Sequence, residues 1–135
     1  MPKEMINDDN KLCNLCDPTR NLELADNVRI KPILPTGSGD RKALPLFMGV
    51  FNYFPHAVVA VARQSQIGND KHNPGESLHW AREKSTDDWD CLTRHQLDLW
   101  HAIQADDSEA IKEHAGALAW RGLAVAEKAL EGIVE

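Results

Sequence analysis

Beyond residue 40, apolar residues recur at helical spacing along most of the chain. The breaks between those runs are rich in Pro, Gly, Asn and Asp. Leu46, Phe47, Val50, Phe51 and Phe54 follow one another as one face of a helix does. Pro45 suits a first helical turn, where a missing N–H costs little, so this helix is expected to begin near Asp40 or Pro45. Pro55 interrupts the run and predicts a kink or a break into two helices. Ala57 to Ala62 carries the second part to about Ser65. Gly68 to Gly75 contains Gly-Asn, Asn-Pro and Pro-Gly steps and reads as a turn-rich loop. A short helical piece is expected from Ser77 to Lys84. Ser85 or Thr86 then caps a longer helix to about Gln104, with Asp87 and Asp88 in its electropositive first turn. Asp106-Asp107-Ser108 is the next break, with Ser108 suited to the cap. A last helix, about Glu109 to Gly132, carries Ile111, Ala115, Leu118, Ala119, Leu123, Ala126 and Leu130.

Residues 1–40 have a different texture, with Pro18, Pro32, Pro35, Gly37 and Gly39 and few long apolar periods. Asn27 to Lys31 alternates and predicts a short strand or an extended segment. Pro35 to Asp40 reads as a loop. The pattern as a whole predicts an all-α protein: a single helical domain of about four helices over 41–135, preceded by an extended N-terminal arm over 1–40. There is no internal repeat.

The chain has 135 residues, 42% of them hydrophobic, which suffices for one domain with a modest core. Its formal net charge of −6 disfavours polymeric nucleic acid as a partner, because phosphate backbones demand a basic face. A nucleotide remains open, since a bound divalent cation reverses the local charge. No run of eighteen apolar residues occurs and the N-terminus lacks the apolar stretch of a signal peptide, so no membrane span and a cytoplasmic location are expected. Cys13-Asn14-Leu15-Cys16 is half of a zinc knuckle without its second half, and the three cysteines read as free thiols.

The candidate chemistry lies between Gly68 and Asp98. On the helix after Ser85, at about 100° per residue, Asp87, Asp90, Cys91, Arg94, His95, Asp98 and His101 fall within roughly 140°. Trp89, Leu92, Leu99, Trp100 and Ile103 take the other side. Carboxylates one turn apart can chelate a hard cation such as Mg²⁺. Arg94 could pair with those acids or receive a phosphate, and His95 could be a ligand or a proton carrier. A helical hairpin could bring His114, early on the next helix, toward this face, with Arg121 two turns further on. The plain alternative is a solvated acidic face with an internal Asp–Arg ladder. Lys84 and Ser85 precede a helix N-terminus, where anions are favoured, or are an ordinary cap with a surface Lys. Asn69, His72, Asn73 and His79 offer hydrogen bonds to a base or sugar. Trp80 could stack on a base or fill the core, and for Trp80 and Trp120 the core role is the commoner one.

Several pieces together resemble the small, mostly phage-encoded dATP/dGTP diphosphohydrolase family. They are Arg41-Lys42 with Pro45-Leu46, Tyr53-Phe54-Pro55, Gly68-Asn69 with His72-Asn73-Pro74-Gly75, and Leu78-His79-Trp80. Lys84-Ser85 with Asp87 and Asp90, Arg94-His95 with Asp98, and His114 with Ala119-Trp120-Arg121 complete them. The resemblance spans about Arg41 to Glu131. It implies hydrolysis of a deoxypurine triphosphate to monophosphate and pyrophosphate, in a host cytoplasm if the protein is phage-encoded. It also implies kinship with MazG-type pyrophosphohydrolases, which are all-α, assemble through helices and hold Mg²⁺ or Mn²⁺ on paired Glu-x-x-Glu and Glu-x-x-Asp motifs. This chain departs from that pattern, with Asp87-x-x-Asp90 and His95-x-x-Asp98 on one helix and His114 on the next.

The expectation is therefore metal-assisted attack of water on a nucleotide. Asp87, Asp90, Asp98 and His95 would hold Mg²⁺ or Mn²⁺, and Asp87, Asp90, His95 and His114 would be catalytic. Lys84, Ser85, Arg94 and Arg121 would bind phosphate, and Asn69, His72, Asn73, His79 and Trp80 the base and sugar. The small residues Ala115, Gly116, Ala119 and Gly122 permit close helix approach within a chain or between chains, and a homo-oligomer is expected. The alternatives are a phosphohydrolase releasing triphosphate or orthophosphate, and a non-catalytic module that binds a nucleotide or a host protein.

Overall fold

A computed structural model describes residues 33–133, and the regular structure among them is helical without strands. The expected strand at Asn27 to Lys31 and the Cys13–Cys16 pair lie outside the described residues. The chain divides into two units between Leu44 and Pro45. In the first, the short helix α1 (Ser38–Lys42) stands where a loop was expected. Gly37 is its extended N-cap, the Arg41 N–H bonds to the Gly37 carbonyl, and the Arg41 side chain donates to the Pro35 carbonyl at 3.0 Å.

The second unit opens with a π-helical turn, Phe47–Phe51, and a break before Pro55. Helix α2 (Pro55–His72) starts on that proline, whose fixed φ and missing N–H suit a first turn. The break expected there is present. Helix α2 runs well past Ser65, however, and absorbs Gly68 and Asn69. The stop comes instead at Asn73-Pro74-Gly75. Pro74 disfavours helical backbone at the residue before it, and Gly75 takes a positive φ of 78°. A 3₁₀ turn, Arg82–Lys84, leads to α3 (Asp88–Gln104) and then α4 (Ser108–Glu131). The connection between α3 and α4 is tight. Asp106 adopts φ 53°, a conformation Asp tolerates better than most residues, and the Asp107 side chain accepts from the Ala110 N–H. Asp107 rather than Ser108 is thus the cap.

Helix α4 packs against both α2 and α3. Small residues make this possible. A Cβ on Gly116 would stand 3.1 Å from the Ala60 carbonyl oxygen, so α2 and α4 meet there almost backbone to backbone. One turn on, the Trp120 indole N–H donates to the Ser65 hydroxyl at 2.9 Å. The buried apolar residues are Ala102, Ala117 and Ala124, while Trp89, Leu97, Trp100, Ile103, Leu123 and Leu130 are exposed. Among the described residues no single helix is long and apolar enough to cross a membrane.

Candidate metal centre

The inward row of α3 is Asp88, Leu92, His95, Leu99 and Ala102, each buried or half-buried. Trp89, Trp100 and Ile103, expected on the apolar side, are exposed at 70%, 58% and 53%. The helix is therefore turned so that part of its polar arc faces α4. The reason lies in what α4 presents: Ala110, His114, Ala117, Arg121, Ala124 and Lys128 recur at three- and four-residue steps. Small residues alternate there with residues that need polar partners, so the seam is polar at two levels.

At the first level Asp88 accepts from Arg121 Nη1 at 2.7 Å, from Lys128 Nζ and from the Ser85 hydroxyl. Arg121 also donates to Ser85 Oγ at 2.7 Å and lies 5.3 Å from the centre of the Trp120 ring. The Lys128 ammonium, with Arg121 and Ser85 beside it, holds the Asp88 carboxyl below its usual range against the opposing pull of burial. Asp88 is only 12% exposed, so this is a nearly dry, fully partnered carboxylate.

At the second level His95 and His114 face each other across the seam. Their Nδ1 atoms are 3.2 Å apart, and Asp98 Oδ2 lies 3.9 Å from His114 Nδ1. One ligand atom from each of His95, Asp98 and His114 falls within 4.8 Å of the others. Burial, and then the neighbouring His114, push the His95 imidazole below its ordinary pKa. Asp98 is half exposed, so the cluster opens to solvent on that side. Among the described residues, no Lys or Arg forms an ion pair with Asp98.

The other acids of the helix are placed differently. Asp87, at the N-cap of α3, binds Arg94 at 2.8 Å, and that guanidinium holds its carboxyl below the usual range. Asp90 is exposed, and neither Asp87 nor Asp90 belongs to the three-residue group. The hairpin brings together His95, Asp98 and His114. Asp98 and His114 stand eight residues before and after Asp106, the turn residue, so their apposition could be counted from the sequence. The role of Asp88, and with it Lys128, could not, because an acid in a first turn usually faces water.

The segment after α2 is held by its two buried asparagines, each 4% exposed. Asn69 donates to the Glu76 carbonyl at 3.1 Å and accepts from the His79 N–H and from Asn73. Asn73 also donates to the His79 carbonyl, and Lys84 Nζ donates to Asn73 Oδ1 and to the His72 carbonyl. These bonds satisfy the loop's backbone in place of a sheet or helix ladder. His72 and His79 are exposed, and His79 Nδ1 bonds to the Ser77 carbonyl. Trp80 meets Trp120 edge to face at 5.5 Å, with the Arg82 guanidinium 4.5 Å from its ring centre.

No curated protein and no solved structure matches the chain. A family model does: the one described as dATP/dGTP diphosphohydrolase, N-terminal, aligns with residues 36–134, which take in all four helices and both polar levels of the seam. The chain belongs to the dATP/dGTP diphosphohydrolase N-terminal family.

Proposed function

We propose that this protein hydrolyses deoxypurine nucleoside triphosphates to the monophosphate and pyrophosphate with the help of a divalent ion held at His95, Asp98 and His114. The observation that carries the proposal is the convergence of those three side chains within 4.8 Å in a chain of this family. The donor set fits an ion such as Mn²⁺, which accepts imidazole and carboxylate together. Bound there, the ion would supply charge neutralisation for the phosphates and acidify water. In the proposed reaction a water oxygen attacks the α-phosphorus and the bond to the α–β bridging oxygen breaks. Pyrophosphate leaves with that electron pair. Asp98, half exposed at the cluster, would take the water's proton.

Arg94 is the cation best placed to grip phosphate. Its pair with Asp87 is exposed on both sides and so costs little to exchange. Arg94 directly precedes His95 on α3 and its side chain is exposed. The geometry supports a loop-holding role for Asn69 and Asn73, and leaves His72 and His79 exposed for a base or sugar. The apolar side chains left exposed on α3, among them Leu97, Trp100 and Ile103, support self-association of the chain, which sedimentation would read directly.

The test is incubation of the purified chain with each dNTP and Mn²⁺ or Mg²⁺, with the products resolved by anion exchange. Monophosphate with pyrophosphate from dATP or dGTP is expected. Triphosphate or orthophosphate as the product would identify a different phosphohydrolase. A rise in melting temperature with nucleotide, but no turnover with either metal, would make this a binding module.

A further inference from the structure

We propose that His95, Asp98 and His114 form a single-ion site for a first-row divalent cation that accepts imidazole nitrogen, such as Co²⁺, Zn²⁺ or, more weakly, Mn²⁺, and that the site discriminates against Mg²⁺. It rests on the proposed hydrolysis for its purpose, but its geometry and its test concern metal binding alone.

Two of the three ligand atoms are imidazole nitrogens, which suit borderline transition ions. Mg²⁺ demands a near-octahedral shell of oxygens and gives up its waters reluctantly, and only one oxygen ligand converges here. The oxygen-rich alternative on the same helix is not assembled: neither Asp87 nor Asp90 converges with Asp98, and Asp88 is bound to Arg121 and Lys128.

Two nitrogens each about 2.1 Å from one ion stand roughly 3.0 Å apart at a right angle and roughly 3.4 Å apart in a tetrahedron. The His95 and His114 Nδ1 atoms are 3.2 Å apart. The 3.9 Å from His114 Nδ1 to Asp98 Oδ2 is wider, and the carboxylate that must close it is the half-exposed member of the group. His95 and Asp98 sit one turn apart on α3, and His114 comes from the helix packed against it, so two packed helices fix the donors in place.

A carboxylate built for structure in this seam has cations around it, as Asp88 does. Asp98 pairs with an imidazole instead, and its side chain is 53% exposed. Three protein ligands leave coordination positions open on the solvent side, the arrangement of sites that accept a substrate oxygen or water.

The experiment is titration of chelator-stripped protein with Co²⁺, read by visible absorption, without nucleotide. One Co²⁺ per chain is expected, with the intense bands of a site of low coordination number and nitrogen ligands. Mg²⁺ in large excess should leave the spectrum in place. His114→Ala and His95→Ala should weaken Co²⁺ binding by at least about 100-fold, the upper end of what loss of an outer-shell partner alone produces. Glu109→Gln, at an exposed acid of α4 outside the group, should leave it unchanged. Against failure of a variant to fold, Mn²⁺ added to the wild-type chain should broaden the His95 and His114 ring proton resonances before those of His56 and His101. Absence of cobalt bands, displacement by Mg²⁺, or broadening spread evenly over the histidines would overturn the site and leave a plain His–His hydrogen bond. Cobalt binding without dNTP hydrolysis would instead overturn the proposed reaction and leave the site standing.

Discussion

Near the start of α3 a carboxylate meets two cations and a hydroxyl, while farther along the same seam a carboxylate meets two imidazoles. The two levels join the same pair of helices and lie within two turns of each other. At the first, every lone pair that matters is committed: Asp88 is nearly buried and bound to Arg121, Lys128 and Ser85. At the second, two nitrogens and an oxygen lie within 4.8 Å of one another, and the acid is open to water. What separates them is charge balance rather than residue type. A buried carboxylate with cations on it has its interactions already made, and breaking them is costly. A carboxylate among imidazoles has coordination still to offer.

This contrast predicts opposite consequences for the two acids' surroundings. The largest effect belongs to the open level. His114→Ala should lower metal-dependent dNTP hydrolysis by about 1,000-fold, about 4 kcal/mol of transition-state stabilisation at 1.36 kcal/mol per tenfold. The unfolding midpoint should shift little. Initial rates at saturating Mn²⁺, set beside urea melts of the same preparation, provide the check. A variant as active as wild type would place the chemistry elsewhere.

The closed level should behave in the reverse way. Asp88→Ala strands Arg121 and Lys128 near the seam without a counter-charge, and should cost about 3 kcal/mol of unfolding free energy, the lower end for breaking a buried pair. The lower end applies because Arg121 and Lys128 keep 20% and 32% exposure. Chemical denaturation decides this. A loss under about 1 kcal/mol, the scale of an exposed pair, would mean that water already screens the network.

The same carboxylate predicts a pH dependence. Its folded pKa is lowered, chiefly by Lys128, so the unfolded chain binds the proton more readily. The stabilisation is then fully present above the unfolded carboxyl value of about 3.9 and is lost as pH falls through the folded value below it. Melting temperature should drop more steeply below pH 4 in the wild type than in Asp88→Asn. Parallel curves would show that Asp88 does not sense its partners electrostatically.

Much of this architecture could be read from the chain before any coordinates. The spans of α3 and α4 followed from periodicity and from the Asp106-Asp107-Ser108 break, and the break at Pro55 followed from ring geometry. The end of α2 did not, because Gly68 and Asn69 carry turn chemistry in isolation. Their helical state depends on Asn69 reaching residues ten positions away, a tertiary fact with no local signature. The rotation of α3 was hidden for a related reason. Trp89, Trp100 and Ile103 are what a core-facing arc looks like, yet α4 offers alanines, two cations and a histidine on the facing row, so α3 turns Asp88 and His95 inward. The candidate site was legible as a set of residues. Which acids are committed to cations depended on side-chain reach across the seam.

The α2–α4 contact gives a smaller, purely steric test of the same helix. Gly116→Val would place carbon against the Ala60 carbonyl, where a Cβ alone already sits at 3.1 Å. Backbone cannot rotate away as a side chain does, so a loss of roughly 1–3 kcal/mol is expected, as for other overpacked sites. Gly122→Ala on the same helix meets nothing within 4 Å and should be neutral or slightly stabilising, since alanine favours helix. If the two substitutions melted alike, α2 and α4 would not be in the close contact described.

The smallest effect concerns how the open level is kept in register. Asp107 caps α4 through the Ala110 N–H, and its removal to Ala should cost about 1 kcal/mol. The cap lies at the hairpin turn, nine residues after Asp98 and seven before His114. If the turn alone set that apposition, cobalt affinity would fall along with stability. The Asp88–Arg121–Lys128 network pins the far end of the same two helices, and the alanines between let them pack closely, so register has a second determinant. Cobalt affinity should therefore hold in Asp107→Ala and weaken in Asp88→Asn. That outcome would tie the two levels together: the closed one would position the ligands of the open one without touching them.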